Sequence, residues 1–165
     1  MQASIGRLDE NLSAIAQTLS QQNFSLVVAE SCTGGMLASR LIDRAGASNW
    51  FYGGFVTYQA LAKKEMLGID DATLCTYGLV SSQTAVAMAL GAIERSSADY
   101  SIALTGVAGP MGDGSEAHVG ELWITWTSKH DDICASEWFE LSATRSEFRL
   151  TACALAVEGF AQRFC

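Results

Sequence analysis

The sequence predicts an α/β fold: a single-domain three-layer α/β/α sandwich with a mixed sheet of about five strands between helical layers. Three observations carry this. Through the first two thirds of the chain, short apolar runs alternate with segments of helical periodicity, the order that crossover connections and parallel pairing require. The last two apolar runs are separated only by a polar turn at residues 128–132 and read as an antiparallel hairpin. The 165 residues are 49% apolar, contain one proline, and show no linker or internal repeat, so residues 1–165 suffice for one sizeable core.

Ile5, Leu8, Leu12, Ile15 and Leu19 recur every three or four residues, predicting an amphipathic helix over about 5–22 with Asn23 as its stop. A strand follows at about 25–30, then a helix from Met36 to about Arg44. Residues 45–49 are a turn in which Ser48 is placed to cap a short helical turn around Trp50. Gly53 to Tyr58 reads as the second strand, and Gln59 to Leu67 as a helix ended by Gly68. A short helix at about 71–76 and an extended link at Gly78–Val80 lead to a long helix, opened by Ser81 or Ser82 and running to about Arg95. Tyr100–Thr105 is the third strand, and residues 106–114 form a loop with four glycines. Val119–Thr127 and Ile133–Leu141 form the hairpin, with Leu122, Ile124 and Trp126 on one face. Thr144-Arg145-Ser146-Glu147 is a capping box that starts the last helix, which runs to about Arg163 and buries Phe148, Ala152, Leu155 and Phe160.

A net charge of −8 without any Lys/Arg run argues against nucleic acid as a partner. No apolar stretch reaches transmembrane length and no signal pattern is present, so no membrane partner and a cytoplasmic location are expected. Five scattered cysteines (Cys32, Cys75, Cys134, Cys153 and Cys165) without a C-x-x-C suit neither a disulfide framework nor a zinc site. No metal or cofactor is expected. P-loop, dinucleotide-binding and G-x-S-x-G patterns are absent. His118 and His130 lie in loop regions and read as solvated, so a histidine-based triad has little to draw on. Asp70-Asp71 and Asp131-Asp132 read as solvated caps and turn residues.

The chemistry is sought at strand ends. Ala29-Glu30-Ser31-Cys32-Thr33-Gly34-Gly35 turns from the first strand into a helix. A serine there lies beside free helix-start amides, which suit an oxyanion or a phosphate; a plain capping serine is an equal reading of the seven residues alone. If the first three strands are parallel, their C-terminal ends share the sheet edge at which α/β proteins bind ligands. Ser31, Tyr58, Lys63 and Thr105 would meet there. Lys63 can act as a base for Ser31 only when neutral, through burial or through nearby charge from Lys64 and Arg145. Taken singly, Lys63 also reads as a surface lysine, Tyr58 as a half-buried strand aromatic and Cys32 as a packed thiol. Arg145 opposes the dipole of its own helix, which an anion between them would relieve; the alternative is an arginine pointing to water.

Together these segments resemble the nicotinamide-nucleotide amidase family, the domain at the C-terminus of CinA-type proteins. The matching stretches are A-E-S-C-T-G-G at 29–35, G-F-V-T-Y at 54–58, A-K-K-E-M-L-G at 62–68, G-L-V-S at 78–81, A-D-Y at 98–100, T-G-V-A-G-P at 105–110 and R-S-E-F-R at 145–149. The resemblance implies an α/β/α fold and deamidation of nicotinamide mononucleotide to nicotinic acid mononucleotide and ammonia, in NAD recycling. It implies Ser31 as nucleophile, Lys63 as its base and Tyr58 as their assistant. Thr33, Gly34, Gly35, Thr105, Gly106 and Arg145 would bind the substrate, a small-molecule nucleotide. Amides from Cys32 to Gly35 are the expected oxyanion donors, and Arg145, the glycine loop or a helix end the expected phosphate ligand. The chain departs from the family at Gln59-Ala60, where Ser-Asn is common, at His118, where proline is common, and at Ala143-Thr144, where Gly-Asp is common. The first departure leaves open a paralogue that binds a nucleotide or protein with little turnover; another amide as substrate is a third reading. A homo-oligomer is expected, and Trp50, Phe51 and Tyr52 belong either to its interface or to a pocket rim.

Overall fold

The computed structural model describes residues 6–112, 114, 117–131 and 133–165. Ile5 of the first helix, Asp113 of the glycine loop and Asp132 of the second acidic pair lie outside the described residues. In chain order the elements are α1 (Leu8–Gln22), β1 (Leu26–Glu30), α2 (Met36–Ile42), a 3₁₀ turn (Ala47–Asn49), β2 (Phe51–Val56), α3 (Ala60–Leu67), α4 (Asp71–Tyr77), α5 (Ser82–Glu94), β3 (Tyr100–Gly106), β4 (Glu121–Ser128), β5 (Cys134–Glu140) and α6 (Arg145–Phe164).

The five strands form one sheet in the order β2-β1-β3-β4-β5. β1 pairs in parallel with β2 and β3, while β3–β4 and β4–β5 are antiparallel. The expected mixed sheet is therefore present, with the three parallel strands ending on one edge. β1 is buried on both faces, as a central parallel strand must be. Leu26 and Val28 join the core beneath α1, α2 and α6, whereas Val27 and Ala29 join the one beneath α3, α4 and α5. Period-two alternation thus feeds two separate apolar layers from one strand.

The caps follow the sequence closely. Asn23 (φ 59°) stops α1, and Gly68 (φ 68°) stops α3 in the left-handed conformation. The Ser81 side chain caps α5, Asp70 accepts from Thr73 N at 2.6 Å to cap α4, and the Thr144–Glu147 capping box opens α6. Leu122, Ile124 and Trp126 are fully buried on one face of β4. On α6, Phe148, Ala152 and Phe160 are buried, and Leu155 is half-buried. Among the described residues no helix is long and apolar enough to cross a membrane.

Three expectations fail locally. β2 begins two residues earlier than 53–58 and stops at Val56, because Leu26 pairs with Phe51 and its amide donates to Trp50 O at 2.8 Å. Thr57 and Tyr58 therefore lie beyond the strand. Ser48 does not cap: it sits inside the 3₁₀ turn, which follows Gly46 (φ 85°) and has no side-chain cap. The aromatic trio is not one surface. Trp50 is 2% exposed and belongs to the core, Phe51 is half-buried, and Tyr52 is 53% exposed.

α6 lies against the sheet through Trp126, whose Nε1 donates to Ala156 O at 2.8 Å, with the Arg163 guanidinium 4.2 Å from the ring centre. Gly159 permits this approach, since a Cβ there would stand 2.3 Å from Trp126 Cζ2. Gly159→Ala should therefore lower stability by about 1–3 kcal/mol, read as a reduced urea midpoint at constant slope. An unchanged midpoint would show that the indole yields freely.

Candidate active site

The shared edge of β1, β2 and β3 brings together residues that lie far apart in sequence. Ser31 directly follows β1, and its amide donates to Leu104 O in β3 at 3.0 Å. Thr57 follows β2 and donates to Glu30 O at 2.8 Å. Lys63, the fourth residue of α3, reaches into this junction and is fully buried. Its Nζ donates to Ser31 Oγ at 2.9 Å and to Thr57 O at 2.7 Å. Burial, partly opposed by Cys32, pulls the Lys63 ammonium down from 10.5 to about 8. Of the two expected causes it is burial that acts, not neighbouring positive charge: Lys64 is paired with Asp71 at 2.7 Å, and Arg145 is engaged elsewhere.

The turn after Ser31 is held from inside. Glu30 is completely buried, and its carboxylate accepts from the amides of Gly35 (3.0 Å), Leu37 (3.1 Å) and Ala38 (2.8 Å). Gly34 N donates to Ser31 O at 3.1 Å, and Gly34 and Gly35 both have positive φ (59° and 89°). The donor set expected from Cys32 to Gly35 is thereby narrowed. Gly34 and Gly35 spend their amides within the turn, and the amides of Cys32 and Thr33 remain beside Ser31. Thr33 is buried, its hydroxyl has no partner among the described residues, and its carbonyl accepts from Arg149 Nη2 at 2.7 Å.

Tyr58 is 58% exposed, not a half-buried strand aromatic. Its hydroxyl accepts from Arg145 Nη2 at 3.1 Å, and the hydrogen bonds of Lys63 Nζ run to Ser31 and Thr57 instead. Arg145 Nη1 donates to Gly109 O at 2.9 Å, so the guanidinium joins Tyr58 to the glycine loop rather than pointing freely to water. Thr105 is buried and donates to Leu79 O at 2.8 Å, which turns its hydroxyl toward the 78–80 link. Gly106 has no room for a side chain: a Cβ would stand 2.5 Å from Glu121 O.

A cleft of about 270 Å³ opens here, lined by Cys32, Tyr58, Arg145 and the loop from Gly106 to Gly112. A larger hollow of about 480 Å³ lies along residues 75–80 beside Ala117 and Glu121; Ser31 and Lys63 line neither space, and the smaller cleft meets their turn through Cys32. The histidines are not bare loop residues. His118 pairs with Glu121 and Glu140, and His130 stacks on Phe24 and bonds Asp99 at 2.8 Å. His118 is raised above its ordinary value, chiefly by its hydrogen bond to Glu140. Cys32 and Cys153 are packed thiols, and burial pushes Cys32 up to about 12. Among the described residues no His/Cys/Asp/Glu group is arranged to hold a metal.

Sequence reasoning passed over Glu30, Thr57 and Arg149. A carboxylate closing an apolar strand directly before a helix start was the available sign for Glu30. Arg149 stands one helical turn after Arg145, on the same side of α6. Thr57 acts through its carbonyl, for which no residue type is diagnostic.

A lysine whose folded pKa lies below its unfolded value binds fewer protons in the folded state, so stability must rise with pH between about 8 and 10.5. Below about 8 the burden is constant, on the order of 3 kcal/mol. Lys63→Met should therefore be at least as stable as the parent protein at pH 7, and urea titrations should show that advantage shrinking from pH 8 to 10.5. A pH-independent difference would place the ammonium in a solvated setting.

The CinA C-terminal domain model matches residues 9–164. The chain is 39% identical over 151 residues to the nicotinamide-nucleotide amidohydrolase PncC of Escherichia coli K12, covering 91% of this chain and 90% of that protein. It is 37% identical over 158 residues to PncC of Enterobacter agglomerans, covering 96% of both. It is 42% identical over 146 residues to a CinA-like protein of Akkermansia muciniphila, covering 88% of this chain but only 35% of that longer protein. Among solved structures, the competence/damage-inducible protein CihA of Agrobacterium tumefaciens superposes with a TM-score of 0.89 at 36% identity, covering 94% of each chain. With the family model spanning nearly the whole sheet and its helices, the chain belongs to the CinA C-terminal domain family.

Proposed function

We propose that the protein is an amidohydrolase that deamidates nicotinamide mononucleotide to nicotinic acid mononucleotide and ammonia by a serine–lysine mechanism. The observation that carries the mechanism is the 2.9 Å contact between Ser31 Oγ and a fully buried Lys63 Nζ. The names of the PncC relatives support the substrate.

In its neutral form Lys63 removes the Ser31 proton as Oγ attacks the carboxamide carbon. The carbonyl oxygen gains negative charge and lies against the amides of Cys32 and Thr33. Lys63 returns the proton to the leaving nitrogen, the C–N bond breaks, and ammonia departs. Water then adds to the Ser31 ester, giving its proton to Lys63, and collapse releases the acid and regenerates the hydroxyl. Arg145 has guanidinium N–H groups beyond the two bonds to Gly109 and Tyr58, and it is the cation among the residues lining the cleft. It takes the 5′-phosphate in this reading. Tyr58 assists by fixing that guanidinium.

The reaction returns a nicotinamide product to NAD synthesis, which suits a cytoplasmic protein. A homo-oligomer is the assembly proposed; Tyr52 and Val56 on the edge strand β2 and Leu61 on α3 are exposed apolar groups. A binding paralogue with little turnover is the second reading. It is favoured by Gln59, which replaces a common serine and makes no side-chain cap at the start of α3.

Ammonia release from nicotinamide mononucleotide by the purified protein tests the reading. Ser31→Ala and Lys63→Ala should each lower kcat by about 10³-fold or more. No release between pH 6 and 9 would leave the binding paralogue. Because Lys63 acts deprotonated, kcat/KM should rise with pH through a midpoint near 8 and level off about one unit higher, and a flat profile would remove lysine as the base. Arg145→Ala should raise KM for the nucleotide roughly tenfold, and an unchanged KM would remove the phosphate role.

A further inference from the structure

The Ser31 turn is tied at three points, and two of the ties come from side chains with no assigned part in the reaction. Glu30 is in the sheet by its main chain, accepting from Thr57 N at 2.8 Å. Its side chain folds back over the turn to the amides of Gly35, Leu37 and Ala38. The four residues Ser31 to Gly34 are thus bridged end to end by one side chain. Arg149 on α6 holds the Thr33 carbonyl at 2.7 Å, and a Cβ on Gly34 would stand in ordinary contact, 3.6 Å, with its Nη2.

These contacts have a definite consequence. A glycine-rich turn with two positive-φ residues is floppy by itself. Chemistry at Ser31 needs Oγ held at hydrogen-bond distance from Lys63, and the adjacent amides fixed in direction, since small displacements cost large factors in rate. Neither Glu30 nor Arg149 lines the cleft. Glu30 also occupies the start of α2, so the anion of a substrate has no claim on that helix end.

We propose that Glu30 and Arg149 are positioning residues that clamp the Ser31 turn at separate points, keeping the nucleophile in register with Lys63 and the Cys32 and Thr33 amides aimed at the developing oxyanion. This rests on the amidohydrolase reading above. Glu30 does so by accepting hydrogen bonds from three amides, a task for which a carboxylate, acceptor at both oxygens, differs from a carboxamide of the same shape. Arg149 does so through a guanidinium that spans from α6 to the turn.

The test uses the full chain with Glu30→Gln, Arg149→Met and Arg149→Lys. In Glu30→Gln and Arg149→Met, kcat for nicotinamide mononucleotide should fall by about a hundredfold, with KM within about threefold of the parent. Arg149→Lys should recover part of the loss. Native-state hydrogen exchange gives a readout that needs no substrate. Loss of a merely local bond in Glu30→Gln would expose only the amides of 35, 37 and 38. A clamp predicts faster exchange at Gly34 as well, whose amide bonds Ser31 O and never touches Glu30. Folded variants with parental kcat, or with Gly34 exchange unchanged, overturn the proposal. If the parent protein releases no ammonia, the amidohydrolase reading falls by itself, and the Gly34 exchange rate still decides whether the clamp exists.

Discussion

A lysine buried without a carboxylate partner is the constraint on which the site depends. Among the described residues Lys63 Nζ meets a hydroxyl and a carbonyl, Ser31 Oγ and Thr57 O, and no carboxylate. An ammonium in that setting is costly, so its proton is loosened rather than held. The surrounding architecture follows from that need. β1 and β2 must end side by side for one side chain to reach both Ser31 and Thr57, and α3 must leave the edge at once to deliver Lys63. A parallel pair with crossover connections supplies this arrangement.

The opposite face of the sheet contributes through α6. Its first two turns carry Arg145 and Arg149, which reach different parts of the edge: the glycine loop with Tyr58, and the Ser31 turn. The helix is seated by Trp126 and Gly159 near its far end. The chain's last element therefore completes what the first strand begins, and segments more than a hundred residues apart act as one edge.

Much of this was legible in the sequence, for physical reasons that can be named. Apolar alternation and end signals located every strand and helix, because burial and capping leave periodic or punctual marks. Ser31 and Lys63 could be paired because both sit at element ends on the same predicted edge. Of the adjacent lysines, Lys63 shares its helix side with Leu67 and is buried, while Lys64 turns away to Asp71. Contacts from side chain to backbone were not legible. The three amides under Glu30, the carbonyl under Arg149 and the Leu79 carbonyl under Thr105 carry no residue identity. The β2 boundary differs for a related reason: backbone pairing carries the strand back to Phe51 and ends it at Val56, while Gly53 and Gly54 lie inside it as expected, with a Cβ at Gly54 set to meet Val28 Cγ2 at 2.8 Å.

Cys32 stands directly beside the proposed nucleophile and is the more reactive element by nature, yet it is silenced. With burial pushing the thiol up to about 12, the thiolate is strongly disfavoured at neutral pH. Peroxides and electrophiles attack the thiolate, so the turn resists oxidation although a sulfur atom borders its cleft. If Ser31 is the nucleophile proposed, the sulfur beside it does not compete for the same chemistry.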